Sequence, residues 1–350
     1  MLSGPWKQRL IRYANSGTDL KLPVRNSLGL SRTILGRKII QRVNMNPSYS
    51  FQNKIKGEVR YDEIMAKYTS MRIGGPADVF VLPANLKDLQ IILKHRGNCP
   101  VWTIGEGTNL LVRDRGIRGI VISLKNCFKS IKRPVFYKTS DGKERAILQV
   151  DGGVKLSYLA KYAARYGLKG IEALVGVPGS VGGAIVMNAG AEGTEIGQVI
   201  HSVKRISLSG EIETFNKNEM TFSYRKTTFP SASGIIIESE IDLEKGDVAD
   251  IHHAIDKHLL RRSSTQPLTL PNSGSIFKNP EGISAGHLIE SAGLKGHRIG
   301  GAGISIKHAN FIVNKGDASA EDVIQLIEHI QTVVEKKTGT KLEQEIVVIG

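Results

Sequence analysis

Cysteine is scarce in this chain of 350 residues: Cys99 and Cys127 are the only two. That is too few for a disulfide framework or a thiolate metal cluster, so a reducing cytoplasm and two inert thiols are expected. Long apolar runs are also missing. Nothing approaches the roughly 18 residues needed to span a bilayer, and Met1 to Arg12 lack the apolar stretch of a secretory signal. A soluble protein without stable membrane insertion follows. Acidic residues are nearly absent from the first 57 positions, where eleven Lys/Arg face Asp19 alone. That segment carries +10 of the formal +15, leaving +5 for the other 293 residues. The body is therefore only mildly basic, which suits attraction of anionic substrates and gives no reason to expect nucleic-acid binding. The nine histidines suggest no metal site, because the one adjacent pair, His252-His253, points to different sides of a helix.

What is present is glycine, 38 residues of it, in a chain with 40% hydrophobic content and room for two or three domains. Residues 1–57 read as a basic N-terminal extension: a membrane-surface or partner-binding arm, a transit peptide, or a loosely ordered solubilising tail. Its patches Thr33-Ile34-Leu35 and Ile39-Ile40 fit one brief amphipathic helix. From about Tyr68 the grammar becomes βαβ, with β-rich runs at 79–82, 101–104 and 120–122 and a helix over 86–94, capped by Asn85 with Asp88 in its first turn. A second block has a strand at 146–150, a helix over 156–166, a glycine-dense centre at 176–193 and paired strands at 202–207 and 235–243. The third has helices over 248–262 and 320–337, a Pro/Ser/Gly loop at 266–275 and a last strand at 346–349.

Two loops carry chemistry. Gly105-Glu106-Gly107-Thr108-Asn109 follows directly on a strand and presents backbone N–H groups plus the side-chain donors of Thr108 and Asn109, as a diphosphate requires. Alone, such a turn is often only a turn. The stretch from Val175 through Gly176, Pro178, Gly179, Ser180, Gly182 and Gly183 to Ala184, continuing into Asn188, is more specific: so many small residues leave a groove for a flat aromatic cofactor. The competing reading is close helix–strand packing. Arg72-Ile73-Gly74-Gly75 offers a guanidinium for the same ligand, with a surface ion pair as its alternative. The three-glycine dinucleotide fingerprint is absent, so the ligand is not held in the Rossmann manner.

Together with Ser223-Tyr224-Arg225, Gly274-Ser275-Ile276-Phe277-Lys278-Asn279-Pro280, Gly296 to Gly301, His308 to Phe311 and Glu343-Gln344-Glu345, these motifs resemble the UDP-N-acetylenolpyruvoylglucosamine reductases (MurB) from about Tyr68 to Gly350. The resemblance implies an α+β fold: a vanillyl-alcohol-oxidase-type FAD-binding domain split over 58–124 and 125–246, then a substrate-binding domain at 247–350. It also implies NADPH-dependent reduction of an enolpyruvyl UDP-sugar through FAD in peptidoglycan precursor synthesis, by the type lacking a long tyrosine loop. Lys226-Thr227 departs from the acidic residue and serine often found there.

By the same resemblance, Arg225, Ser275 and Glu345 are catalytic, and Tyr224, Lys278 and Asn279 meet the substrate. Arg72, Gly74, the Gly105, Gly107, Thr108 and Asn109 loop, the 176–183 stretch and Asn188 hold FAD. On residue type alone Ser275 is a turn residue and Glu345 a solvated acid. With no His or Cys in the Gly105 loop to anchor it covalently, the FAD is expected to dissociate. A cytoplasmic monomer is expected. The alternatives are a flavin oxidase of the same superfamily, which needs no such trio, and a binding protein that works through its basic arm.

Overall fold

The structure, a computed structural model, describes residues 50–231 and 233–350, so most of the basic extension and its expected helix lie outside the described residues. The chain runs through β1 (Glu58–Ile64), β2 (Pro76–Leu82), α1 (Leu86–His95), β3 (Val101–Ile104), β4 (Leu110–Val112) and β5 (Ile117–Ser123). Next come β6 (Val135–Lys138), β7 (Glu144–Asp151), α2 (Leu156–Arg165), β8 (Leu168–Lys169), α3 (Val181–Val186), β9 (Gly190–Ala191) and β10 (Thr194–Glu195). Then follow β11 (Ile200–Ser207), β12 (Ile212–Asn216), β13 (Thr221–Ser223), β14 (Lys226–Thr228), β15 (Gly234–Lys245) and α4 (Val248–Thr265). The last stretch holds α5 (Ala285–Ser291), β16 (Arg298–Ile299), β17 (Ala302–Ile304), β18 (Ile312–Asn314), α6 (Ala320–Thr338) and β19 (Val347–Ile349). Mixed parallel and antiparallel sheets with helices make this the α+β class expected from the sequence.

The first sheet has the order β1-β2-β5-β3, with β2, β5 and β3 mutually parallel. Its central strands β2 and β5 bury both faces, which is why they read as continuous apolar runs. Val79, Val81, Ile120 and Ile122 point into one core, and Ala77, Phe80, Ile117 and Val121 into the other. Ile206, Ile235 and Ile237 of the second sheet complete the first of these cores. That second sheet is antiparallel, in the order β12-β11-β15-β7-β6 with β8 added beside β15. Its strand β7 alternates, burying Ala146, Leu148 and Val150. Against it packs α2, whose Leu156, Leu159, Ala160, Ala163 and Ala164 form one stripe at helical spacing.

Ile251 and Ile255 of α4 join this same core, so the helix that opens the third sequence block packs with the second. Phe51 is wholly buried with Val79 and Leu89, so residues before position 58 contribute to this core. The C-terminal strand also crosses the sequence blocks, since β19 lies parallel to β4 with Val347 opposite Leu110. In α1, Asn85 accepts from the Asp88 backbone N–H as its cap. The Asp88 carboxylate does more than face the helix dipole: it is buried and accepts from Lys56, Gly57 and Ala84 backbone N–H groups. A capping box of Ser319 and Asp322 opens α6, worth about 1 kcal/mol.

Candidate functional site

The two glycine loops lie side by side. Thr108 donates its hydroxyl to the Pro178 carbonyl at 3.1 Å. A Cβ on Gly105 would stand 2.5 Å from Ser180 Oγ, so the loops approach closely only because that side chain is missing. Gly107 has φ +62°, and a Cβ there would meet the Tyr68 carbonyl oxygen at 2.0 Å, so no other residue fits without moving backbone. Ser180 caps α3 by accepting from the Gly183 N–H. Between these loops opens a cleft of about 640 Å³, walled also by the Gly152-Gly153 turn, the end of α4 and the 273–279 segment. That is a volume suited to a cofactor-sized ligand.

Arg225 reaches this cleft from the tip of the β13–β14 hairpin, whose two-residue turn is Tyr224-Arg225. Its φ of +59° is a conformation that favours glycine, so an arginine here stores backbone strain. Arg225 Nε donates to Glu345 Oε1 at 2.6 Å, with the side chains 19% and 14% exposed. Burial raises the Glu345 pKa above the ordinary carboxyl value, while the adjacent Arg225 and the more distant Lys278 hold it down.

Backbone bonds bring Ser275 to the same place. The Glu345 N–H donates to the Ile276 carbonyl at 2.8 Å, and Asn109 Nδ2 donates to the Glu345 carbonyl at 3.1 Å. Ser275 is half-buried, lines the cleft and makes no side-chain hydrogen bond among the described residues.

All of Gly105, Gly107, Thr108 and Asn109 line the cleft, as do Gly176, Pro178, Gly179, Ser180, Gly182 and Gly183. Three residues expected at the cofactor do not line this cleft. Arg72 is exposed and away from the cleft wall, and Gly74 is stitched to the turn before it, its carbonyl accepting from Ala66 N–H. Asn188 is fully buried behind the cleft, with its amide spent on protein partners. Of the expected substrate contacts, Asn279 lines the cleft. Tyr224 lies beneath the Arg225 guanidinium, 4.8 Å from ring centroid to Cζ, and its hydroxyl accepts from the Asn279 N–H at 3.4 Å. Lys278 stands outside the wall in an ion pair with Glu343.

Sequence reasoning missed Arg262 of α4, which lines the cleft and has no hydrogen-bonding or ionic side-chain partner among the described residues. Burial lowers its pKa. A half-buried cation without a counterion suits an anionic ligand. The Ser273 hydroxyl, buried on the same wall, is likewise unpartnered. A glycine cradle that Cβ atoms would fill, an unpaired cation and an orphaned hydroxyl fit FAD, whose ring is flat and whose diphosphate is anionic.

The fold and site define an FAD-dependent oxidoreductase, and an FAD binding domain profile matches residues 77–216. The profile of the UDP-N-acetylenolpyruvoylglucosamine reductase C-terminal domain matches residues 266–349. The chain is 43% identical over 296 residues to UDP-N-acetylenolpyruvoylglucosamine reductase 2 of Symbiobacterium thermophilum, covering 84% of this chain and 93% of that protein. It is 41% identical to the reductase of Halalkalibacterium halodurans, covering 84% and 95%. The crystal structure of the enzyme (MurB) from Thermus caldophilus superposes with a TM-score of 0.70 at 33% identity, over 85% of this chain and 100% of that one. The chain belongs to the UDP-N-acetylenolpyruvoylglucosamine reductase family.

Proposed function

We infer that this protein reduces UDP-N-acetylglucosamine enolpyruvate to UDP-N-acetylmuramate with NADPH, through bound FAD, as a step in peptidoglycan precursor synthesis. The observation that carries the assignment of roles is the Arg225–Glu345 pair at 2.6 Å on the wall of the glycine-lined cleft, with Ser275 beside it. Gly105 to Asn109 and Gly176 to Gly183 would hold the cofactor, with Arg262 facing its anionic part. Bound FAD supplies a hydride taken from NADPH.

Addition of that hydride to the terminal carbon of the enol ether leaves negative charge on the α-carbon and its carboxylate. Arg225 holds this charge with a permanent cation and forked donors, an arrangement worth several kcal/mol when preorganised. Its placement is fixed from two sides, by Glu345 through the ion pair and by the Tyr224 ring below. Ser275 gives its proton to the α-carbon, which completes the net addition of one hydride and one proton across the double bond. Glu345, which keeps its proton to higher pH than an ordinary carboxyl, assists by hydrogen bonding or proton relay. Asn279 and the Tyr224 edge are assigned to the substrate.

The three sequence blocks are read as two FAD-binding subdomains and a substrate-binding domain. A cytoplasmic setting is assigned on the scarcity of cysteine, only Cys99 and Cys127 being present; the Cys127 thiol, whose pKa burial pushes up to about 12, is inert. We assign no nucleic-acid partner, on the mild charge of the body, and propose a monomer. The purified protein is expected to be yellow, to bleach with NADPH under anaerobic conditions, and to regain colour with UDP-N-acetylglucosamine enolpyruvate. Absorbance at the flavin band measures this. Bleaching by a sugar alcohol with colour restored by oxygen, and no recovery with the enolpyruvyl substrate, refutes the assignment.

A further inference from the structure

Asn188 is the most heavily committed polar residue near the site, yet it touches neither cleft nor catalytic side chain. It is wholly buried and adopts φ +41°, a left-handed conformation that asparagine tolerates better than most residues. Its Oδ1 accepts from the Gly197 N–H at 3.0 Å. Its Nδ2 donates twice, to Glu195 Oε2 at 2.6 Å and to the Ser223 carbonyl at 3.0 Å. Ser223 is the last residue of β13, and the next two residues are the Tyr224-Arg225 turn. A second tie secures the other arm of the hairpin: the Thr227 hydroxyl donates to the Ile185 carbonyl at 2.5 Å, at the end of α3.

This short hairpin pairs across only three residues on each side. Isolated two-stranded hairpins are marginal in water, so its tip is set by what its base is fastened to. The base is fastened to α3 and Asn188, which continue directly from the Gly176–Gly183 loop. We infer that Asn188 is a positioning residue: its amide clamps the Ser223 carbonyl to the cofactor loop and thereby fixes Arg225 against Glu345. The inference rests on the reading of Arg225 as the residue that holds the developing charge. The cost of the left-handed backbone at Asn188 and at Arg225 is then met by the same hydrogen-bond cluster, which couples the loop lining the cofactor groove to the catalytic cation.

Asn188→Gly tests this, because glycine accepts the φ of +41° and removes the amide together with its single methylene. The full-length, FAD-loaded variant is expected to bind FAD and to be reduced by NADPH as the wild type is. Reoxidation by UDP-N-acetylglucosamine enolpyruvate is expected to slow roughly 10- to 100-fold, the scale of an ångström-sized misplacement. The pH limb of that half-reaction is expected to move to higher pH, since Glu345 would lose part of the Arg225 field that lowers its pKa, with Lys278 left as the remaining cation.

A merely structural role would lower the melting temperature and leave both the split between half-reactions and the pH limb unchanged; that result overturns the inference. If Asn188→Gly does not fold, Glu195→Ala frees the same amide to swing and is expected to show the same split at smaller size. No split in that variant also overturns it. Arg225→Ala run alongside separates the two readings: unaffected reoxidation there refutes the role of Arg225 itself, whereas a slow Arg225→Ala beside a normal Asn188→Gly refutes only the clamp.

Discussion

Ser275→Ala is expected to lower turnover by about 10²- to 10⁴-fold, the usual worth of a positioned proton donor. Reduction of the bound flavin by NADPH is expected to proceed at the wild-type rate, so the loss falls on the half-reaction with the enolpyruvyl substrate. The substitution is mild for the fold. Ser275 is only half-buried and its hydroxyl holds no partner among the described residues, so its removal leaves no buried group unsatisfied. The backbone around it is held by Ile276 and Phe277, both buried and bonded to Asn310 and Glu345. Stopped-flow absorbance of the two half-reactions separates the effects. Normal steady-state turnover in the variant removes the serine from the mechanism.

Arg225→Ala is expected to cost about 10²- to 10³-fold in kcat, the scale of losing one preorganised donor at a developing oxyanion. It has a second consequence. Glu345, its side chain 14% exposed, loses the guanidinium that lowers its pKa while keeping the burial that raises it. Its pKa therefore rises further. A carboxyl that binds its proton more tightly folded than unfolded contributes stability in acid, and that contribution fades as pH rises through the folded pKa. The variant is thus expected to lose stability relative to wild type as pH climbs from acid toward neutral, which thermal melts at several pH values measure. Arg225→Gly is expected to lose the same catalysis but to exceed Arg225→Ala in stability by about 1 kcal/mol, because glycine relieves the φ of +59°. Equal stability of the two would mean that the turn is not strained.

The longer elements were legible because their burial pattern is local. The stripe of Leu156, Leu159, Ala160 and Ala163 marks α2 to within a residue, and the expected helices over 248–262 and 320–337 extend only to Thr265 and Thr338. Short pieces escaped, because α3 is built from Val-Gly-Gly-Ala-Ile-Val, which has little helix propensity and forms under the Ser180 cap and surrounding packing. The strand pairs β13–β14 and β16–β17 are two or three residues long and have no periodicity to read.

The glycine loops announced a groove because missing side chains are visible in a sequence. What they could not show is which polar neighbours enter it. Asn188 sits in the same small-residue stretch but is turned away behind the cleft, and Arg262 is one of several basic residues on α4 until packing isolates it. The Arg225–Glu345 contact joins residues 120 positions apart. Only resemblance to a family pointed to that pair; tertiary structure supplies the contact.

A crystal structure of the enzyme with FAD and UDP-N-acetylglucosamine enolpyruvate tests the central claim most directly. The isoalloxazine ring is expected along Gly176 to Gly183, with the substrate carboxylate within hydrogen-bonding distance of Arg225 and the Ser275 hydroxyl facing the α-carbon. A flavin bound outside this cleft, or a substrate whose enolpyruvyl group lies away from Arg225, Ser275 and Glu345, would contradict it.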